Sequence, residues 1–163
     1  MFKGFRSLLA MVACATLTVL AVPAAAHTQC APYARAVSGI ALHGAAAGWW
    51  GEAEGRYERG QAPKEGAVLA FRATRSMRSG HVATVAKVMD ERHVLLNHAN
   101  WSRPGMIERS AMAEDISPNG DWTQVRVYYA PIHGLGLRAS PAFGFIYAKG
   151  TAVAQVSRRN ARA

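Results

Sequence analysis

Cys30, His81, His98 and Asn100 are the residues whose types and order could support nucleophilic attack on an amide bond. Attack by sulfur needs a thiolate, a base that generates it, and a group that orients the base. Cys30 supplies the sulfur and His81 supplies the base. His98 and Asn100 can each hold an imidazole by a hydrogen bond. The sequence therefore predicts a cysteine-dependent acyl-transfer site, and leaves open which of these two residues orients His81.

Cys30 is predicted to lie at the N-terminus of a helix over residues 29–43, where Pro32 fits the first turn. The apolar residues that recur there at helical spacing are Tyr33, Val37 and Ile40. Free N–H groups and the helix dipole stabilise a thiolate at such a terminus. An activated Cys30 is therefore expected to react with alkylating reagents below the ordinary thiol pKa.

The elements that must position these residues are helices first and strands afterwards. A second helix is predicted over residues 45–59. Strands are predicted over residues 67–71, 81–89, 93–101, 122–129 and 143–147. This order is typical of an α+β domain with N-terminal helices packed on an antiparallel β-sheet.

The turn between the second and third predicted strands decides which side chains face each other. If this turn has two residues, Met89 pairs with Arg92 and His81 lies opposite Asn100. His98 then lies diagonal to His81 on the same face. A loop one residue longer would turn both polar side chains to the other face. Geometry alone favours Asn100 as the orienting residue.

Residues 1–26 have the order of a secretory signal peptide. Lys3 and Arg6 form a basic start, an apolar run follows, and Ala24 and Ala26 give a small-x-small cleavage pattern. The apolar run is short for a membrane span, which needs about 20 residues. We therefore expect an exported protein, periplasmic or extracellular, that is cleaved after Ala26 and has no stable membrane insertion afterwards. Lipid attachment at Cys14 is the alternative.

Cleavage would leave Cys30 without a partner in its own chain, since Cys14 is removed. A lone exported thiol indicates intermolecular pairing or a reactive role. The net charge of +9 falls to +7 without Lys3 and Arg6, which suits the anionic peptidoglycan of a cell wall. No nucleic-acid motif, metal-ligand spacing or cofactor motif is present, so nucleic acid, metal and cofactor are not expected.

Five short stretches, in order, resemble the CHAP family of cysteine amidohydrolases and peptidases. They are Gln29-Cys30-Ala31-Pro32-Tyr33-Ala34, Trp49-Trp50, Pro63-Lys64-Glu65-Gly66-Ala67-Val68, Gly80-His81-Val82-Ala83 and His98-Ala99-Asn100-Trp101. The resemblance covers roughly residues 28–101. It implies a papain-like fold, which we expect over residues 27–150. Arg158, Arg159 and Arg162 predict a basic tail at residues 151–163. The resemblance also implies cleavage of peptidoglycan amide bonds.

The same resemblance places the third catalytic residue at His98, where the family often has a carboxylate and the related NlpC-like peptidases have a histidine. A neutral imidazole stabilises the imidazolium of His81 less than a carboxylate would. Catalysis is then expected to be modest. It should fall as His98 gains a proton, near pH 6.5 for an unperturbed imidazole.

Trp101 and Arg78 are the predicted substrate-binding residues, because Trp101 directly follows Asn100 and Arg78 closely precedes His81 in sequence. Arg78 belongs to a basic loop with Arg72 and Arg75, which could hold substrate carboxylates. Two other functions stay open: a non-catalytic module of the same fold that binds cell wall or a partner, and an acyl- or peptide-transferring enzyme. The sequence does not specify the bond that is cut or the oligomeric state.

Overall fold

The computed structural model describes residues 27–149, so the predicted signal peptide (1–26) and basic tail (151–163) lie outside it. Helix α1 spans Cys30–Ser38, and a 3-10 turn at Ala46–Gly48 leads into α2, Trp49–Glu52. The strands are β1 Glu58–Gly60, β2 Val68–Phe71, β3 His81–Val88, β4 His93–Ala99, β5 Ile107–Asp115, β6 Gln124–Tyr129, β7 Gly134–Leu135 and β8 Ser140–Tyr147.

The strands form one antiparallel sheet that closes into a barrel. Its order is β1-β8-β2-β3-β4-β5-β6-β7, and β6 also pairs with β8, so β1 and β7 lie outside the closed ring. The domain is thus mostly β, and the α+β prediction is confirmed only in part. The predicted helix over residues 45–59 ends at Glu52, and Glu58–Gly60 is a strand. Strand β5 was not predicted.

Two apolar cores lie on the two sides of β2. All four of its residues are buried, because successive side chains point to opposite faces and both faces are covered. Leu69 and Phe71 point into the barrel with Ala83, Val85 and Leu96. Val68 and Ala70 pack outside the barrel against the helices. The N-terminal helices therefore do pack on the sheet, on its outer face.

Helix α1 buries alanines rather than the predicted stripe of larger residues. Ala31 and Ala34 are its buried positions, whereas Val37 is 43% exposed and Ile40 lies beyond the helix end. Alanine lets the helix backbone approach β3 and β4 closely, which the catalytic hypothesis for Cys30 requires. No helix within residues 27–149 is long and apolar enough to cross a membrane.

The β3–β4 hairpin has a loop of three residues, one more than predicted. Met89 N–H donates to His93 O, and Val88 lies opposite Val94. A β-bulge between Val85 and Lys87 then absorbs one residue of β3, so that Thr84 lies opposite Asn97. That pairing is the one a two-residue turn predicts. The bulge therefore returns His81 and His98 to one face, the interior of the barrel.

Gly80 fixes the start of β3. Its φ is +65°, and a Cβ there would lie 2.7 Å from the backbone nitrogen of Ala47. The Ala47 N–H donates to Ser79 O in the same contact. Only glycine allows this backbone approach, since the left-handed conformation costs other residues about 1–2 kcal/mol even without the collision. The contact ties the turn before α2 to the residue that precedes His81.

Candidate active site

Cys30 is the first residue of α1, and its thiol is half-buried against β3. The preceding residue, Gln29, is extended and makes no side-chain cap, so the first amides of the helix are not bonded by it. Burial raises the pKa of the Cys30 thiol, although the backbone amides of Val82, Ala31 and Cys30 itself lower it. The resting thiol is therefore protonated at neutral pH, and the expected alkylation at low pH does not follow from this environment.

His81, the first residue of β3, lies next to the amide that faces the thiol. Its ring is buried, and its Nε2 is 3.1 Å from Nδ1 of His98. Burial lowers the pKa of His81 well below its ordinary value, and the charge of a protonated His98 would lower it further. The imidazole is therefore neutral at neutral pH. With Nε2 bonded to His98, Nδ1 is the nitrogen left to act as a base.

His98 lies on β4 and is fully buried. Burial lowers its pKa to about 4, so this imidazole is also neutral at neutral pH. Its second nitrogen, Nε2, has no hydrogen-bond partner among residues 27–149, but it lies 3.6 Å from Oε2 of Glu108. The structure thus brings His98 against His81 on one side and against a buried carboxylate on the other.

Trp101 covers the two histidines. Its ring centroid lies 4.8 Å from that of His81 and 5.8 Å from that of His98. Phe71 lies 5.7 Å from His81 on another side. These apolar rings exclude water from the imidazoles, which is the physical cause of the lowered pKa values. Trp101, which was predicted from the sequence to bind substrate, therefore packs against the histidine pair.

Asn100 has a different set of partners. Its Nδ2 donates to Oε1 of Gln29 at 2.9 Å, and its Oδ1 accepts from the Gly105 N–H at 2.9 Å. The residue adopts φ 62°, a left-handed conformation that asparagine tolerates better than most residues. Asn100 thus ties the end of β4 to the residue before Cys30, while His98 is the residue placed against His81.

The loop between β2 and β3 contains three arginines, of which one contacts the rest of the protein and two are exposed. Arg72 lies over the ring of Phe143, 4.0 Å from its centroid, and its Nε donates to Ala142 O. Arg75 and Arg78 are exposed, and neither has an ion pair or hydrogen bond to another side chain within residues 27–149. Of the three arginines in this loop, Arg75 and Arg78 are therefore the two whose guanidinium groups are available to a ligand.

The arrangement is a thiol at a helix N-terminus that faces the backbone amide of Val82, the residue after His81 of the buried histidine pair. Between residues 27 and 149, no group of three or more His, Cys, Asp or Glu side chains is placed to hold a metal ion. A family model described as the CHAP domain matches residues 22–100. This segment belongs to the CHAP domain family. A search of curated proteins found no match.

CHAP domains are generally hydrolases, and the family suggests activity of the peptidoglycan amidase or peptidase type. The matched segment contains Cys30, His81, His98 and Asn100 and ends one residue before Trp101. The residues proposed from the sequence for catalysis therefore all lie in the CHAP domain match.

Glu108 lies beyond the CHAP domain match and was missed by the sequence analysis. It is buried on β5, directly opposite His98. Ser102 holds it from the other side: the Ser102 hydroxyl donates to Oε1 at 2.7 Å and the Ser102 N–H donates to Oε2 at 3.2 Å. The hydroxyl in turn accepts from the Ala130 N–H. Glu108 is thus fixed in place by a neighbour that carries no charge.

A second β-bulge decides that Glu108, and not its neighbour, faces His98. Leu96 lies opposite Ala111, and a regular ladder continued from this pair would set Arg109 opposite His98. The register shifts between Leu96 and His98, so that Glu108 takes this place and Arg109 is exposed. The bulge puts a carboxylate rather than a guanidinium against the buried imidazole.

Proposed function

We propose that this protein is an exported cysteine amidohydrolase or endopeptidase that hydrolyses amide bonds of peptidoglycan. The observation that carries the proposal is the position of Cys30 at the start of α1, with its thiol facing the amide of Val82. The adjacent residue, His81, is bonded through Nε2 to His98. Nucleophile, base and orienting group therefore come from three elements in mutual contact, α1, β3 and β4.

In the proposed first step, His81 Nδ1 takes the proton of the Cys30 thiol as sulfur attacks the amide carbonyl carbon. Sulfur does not need to ionise beforehand, which fits a thiol whose pKa is raised and an imidazole that is neutral. The carbonyl π electrons move to oxygen. In this proposal, amides in the first turn of α1 stabilise that negative charge.

In the second step, the C–N bond breaks and the leaving amine receives the proton from His81. The products of this step are a free amine and a thioester on Cys30. Water then attacks the thioester while His81 takes one of its protons. The C–S bond of the tetrahedral intermediate then breaks, which releases a carboxylic acid, and His81 returns the proton to sulfur to restore the free enzyme.

The experiment that tests the proposal is digestion of purified peptidoglycan, followed by mass spectrometry of the soluble fragments. New free amines and carboxyl groups, formed by the wild-type protein and not by Cys30→Ala, are expected. Binding to sacculi without any new fragment would favour the non-catalytic module. Products that carry an added amine in place of water would favour the transferring enzyme.

Arg78 is proposed to contact the carboxylates of the stem peptides. We expect Arg78→Ser to raise KM for sacculi about two- to fivefold with kcat unchanged, because an exposed charge contributes at most about 1 kcal/mol. The matched control is Arg138→Ser, another exposed arginine in the loop between β7 and β8. Steady-state rates at two salt concentrations check this, since salt should reduce the difference between the variants. Equal KM values for both variants would leave Arg78 without a substrate role.

Export is proposed from residues 1–26 alone. The mature chain is expected to begin at His27, because Ala24 and Ala26 precede that position in a cleavage pattern. N-terminal sequencing of the protein recovered outside the cytoplasm checks this. A chain that still begins at Met1, or one that carries lipid at Cys14, would contradict it.

A further inference from the structure

The hydrogen bond between the two buried histidines has two possible directions. Either His81 Nε2–H donates to a lone pair on His98 Nδ1, or His98 Nδ1–H donates to His81 Nε2. Only the first leaves the lone pair of His81 on Nδ1, the nitrogen that accepts the proton of the Cys30 thiol in the proposed mechanism. The direction of this one bond therefore decides whether His81 can act as a base.

Glu108 distinguishes the two directions. In the first, His98 carries its hydrogen on Nε2, and the N–H faces the Glu108 carboxylate at 3.6 Å. In the second, a lone pair of Nε2 would face the carboxylate at the same distance. At 3.6 Å the two atoms lie beyond a good hydrogen bond. In this buried environment, however, a carboxylate attracts the N–H dipole and repels the lone pair.

We propose that Glu108 is a positioning residue that fixes His98 as its Nε2–H tautomer and thereby directs the His81 lone pair to Cys30. The inference about the tautomer concerns the free protein. Its consequence for catalysis rests on the proposed function. His98 alone lacks the negative charge of a carboxylate, and Glu108 supplies that charge one ring further from the base.

The environment of Glu108 suits this role. No Lys or Arg pairs with the carboxylate in the part of the chain that the structure describes, so its charge is not compensated on another side. Ser102 uses two hydrogen bonds to hold it, one to each oxygen. Within the described residues, Nε2 of His98 has no hydrogen-bond partner, so the Glu108 carboxylate is the polar group that faces it.

The first test is the tautomer itself. In protein labelled with ¹⁵N-histidine, long-range ¹H–¹⁵N correlation spectra show which ring nitrogen of each histidine carries hydrogen. We expect hydrogen on Nε2 of both His98 and His81 in the wild-type protein at neutral pH. In Glu108→Gln the His98 signal should change to the Nδ1–H tautomer or to a mixture. Hydrogen on Nδ1 of His98 in the wild-type protein would overturn the proposal, and so would an unchanged tautomer in the variant.

The second test is kinetic. Glu108→Gln keeps the volume and one acceptor oxygen for Ser102 but removes the charge. We expect kcat to fall on the order of 10- to 100-fold with KM within about twofold, the range found for partners that orient metal-bound histidines. Glu108→Asp keeps the charge and should recover part of kcat. The matched control is Glu114→Gln on the same strand, whose carboxylate pairs with Arg126 near the surface. This control should keep wild-type kcat.

The proposed function and the positioning role of Glu108 can be refuted independently of each other. If wild-type protein releases no peptidoglycan fragments, the proposed function is wrong, but the tautomer spectra still decide the role of Glu108. If the wild-type protein is active and Glu108→Gln retains both its kcat and the Nε2–H tautomer, the positioning role is wrong and the proposed function stands. Thermal unfolding of each variant shows whether it is folded. The tautomer of His98 in the wild-type protein can be measured even if a variant does not fold.

Discussion

Peptidoglycan hydrolysis is expected to be lost in Cys30→Ala, with kcat lowered on the order of 10³-fold or more, the size typical of a lost nucleophile or base. The proposed mechanism has no second route to the thioester, because no other cysteine occurs in residues 27–149. His81→Ala should cost a similar factor, since the resting thiol is protonated and needs the base during attack. The measurement is the rate of release of soluble fragments from purified sacculi.

Controls separate chemistry from folding in this experiment. Cys30 is only half-buried, so its truncation should change the melting temperature little. His81 is buried among Phe71, His98 and Trp101, and its loss leaves a cavity, so circular dichroism must show that the variant is folded. His43→Ala, at an exposed histidine remote in sequence from these rings, is the matched control and should keep wild-type rates. Near wild-type hydrolysis by folded Cys30→Ala or His81→Ala would refute the mechanism.

The central strands were predictable because their hydrophobic runs and their turn are local signals. Val- and Leu-rich stretches on each side of residues 90–92 predicted β3 and β4 to within about two residues. The predicted register of β3 and β4 near His81 is correct only because two unpredicted features cancel each other. The loop is one residue longer than expected, and the bulge between Val85 and Lys87 cancels the shift. A bulge has no reliable sequence signal here, because no glycine marks it.

The helices show where tertiary packing overrides a local pattern. Residues 45–59 have helical apolar spacing, but the end of this segment makes tertiary contacts instead of helix. The Tyr57 hydroxyl accepts a hydrogen bond from the Ala41 N–H. Glu58–Gly60 then pairs with β8 as an edge strand. Pairing with a strand almost 90 residues later cannot be derived from a window of ten residues. The same limit explains why α1 is shorter than predicted and buries alanines.

Glu108 was missed because its importance depends on long-range pairing. The sequence of β5 is mixed in polarity and poor in β-branched residues, so it gives no clear strand signal. Its bulge depends on Ser110, which adopts φ 56° and donates its N–H to Oδ1 of Asn97 on β4. Serine rarely adopts this left-handed conformation by itself, so it depends on the contact with Asn97. The cysteine and histidines, by contrast, were found from residue type and order.

His98→Ala is expected to lower kcat on the order of 100-fold, and Asn100→Ala less than about tenfold. His98 contacts His81 through a buried 3.1 Å hydrogen bond, whereas the side chain of Asn100 bonds to Gln29 and Gly105. A base held in the wrong tautomer or orientation loses far more rate than a site with a loosened neighbouring loop. Asn100→Ala should instead lower stability, since alanine is strained at φ 62°. Rate and melting temperature of both variants, compared with His43→Ala, give the ranking.

The pH–rate profile of the wild-type protein should show an acid limb well below pH 6.5, in contrast to the fall near pH 6.5 expected for an unperturbed histidine. His81 must be neutral to take the thiol proton, and His98 must be neutral to accept the bond from His81. Burial lowers both pKa values, that of His98 to about 4. Each imidazole therefore stays neutral as the pH falls below 6.5, and activity disappears only as the pH falls through the folded-state pKa values.

Acid also unfolds a protein built in this way, and the two effects must be separated. Unfolded imidazoles bind protons near pH 6.5, while the buried pair does not, so the free energy of unfolding decreases as the pH falls from about 6.5 toward 4. Far-UV circular dichroism at each pH shows where the chain is still folded, and only those points belong in the kcat/KM profile. A limb centred at pH 6.5 or above in folded protein would mean that His81 is not the buried neutral base. The ranking of the two variants has its own contradicting outcome. A larger loss of rate in Asn100→Ala than in His98→Ala would assign the orienting role to Asn100 and remove the functional basis for Glu108.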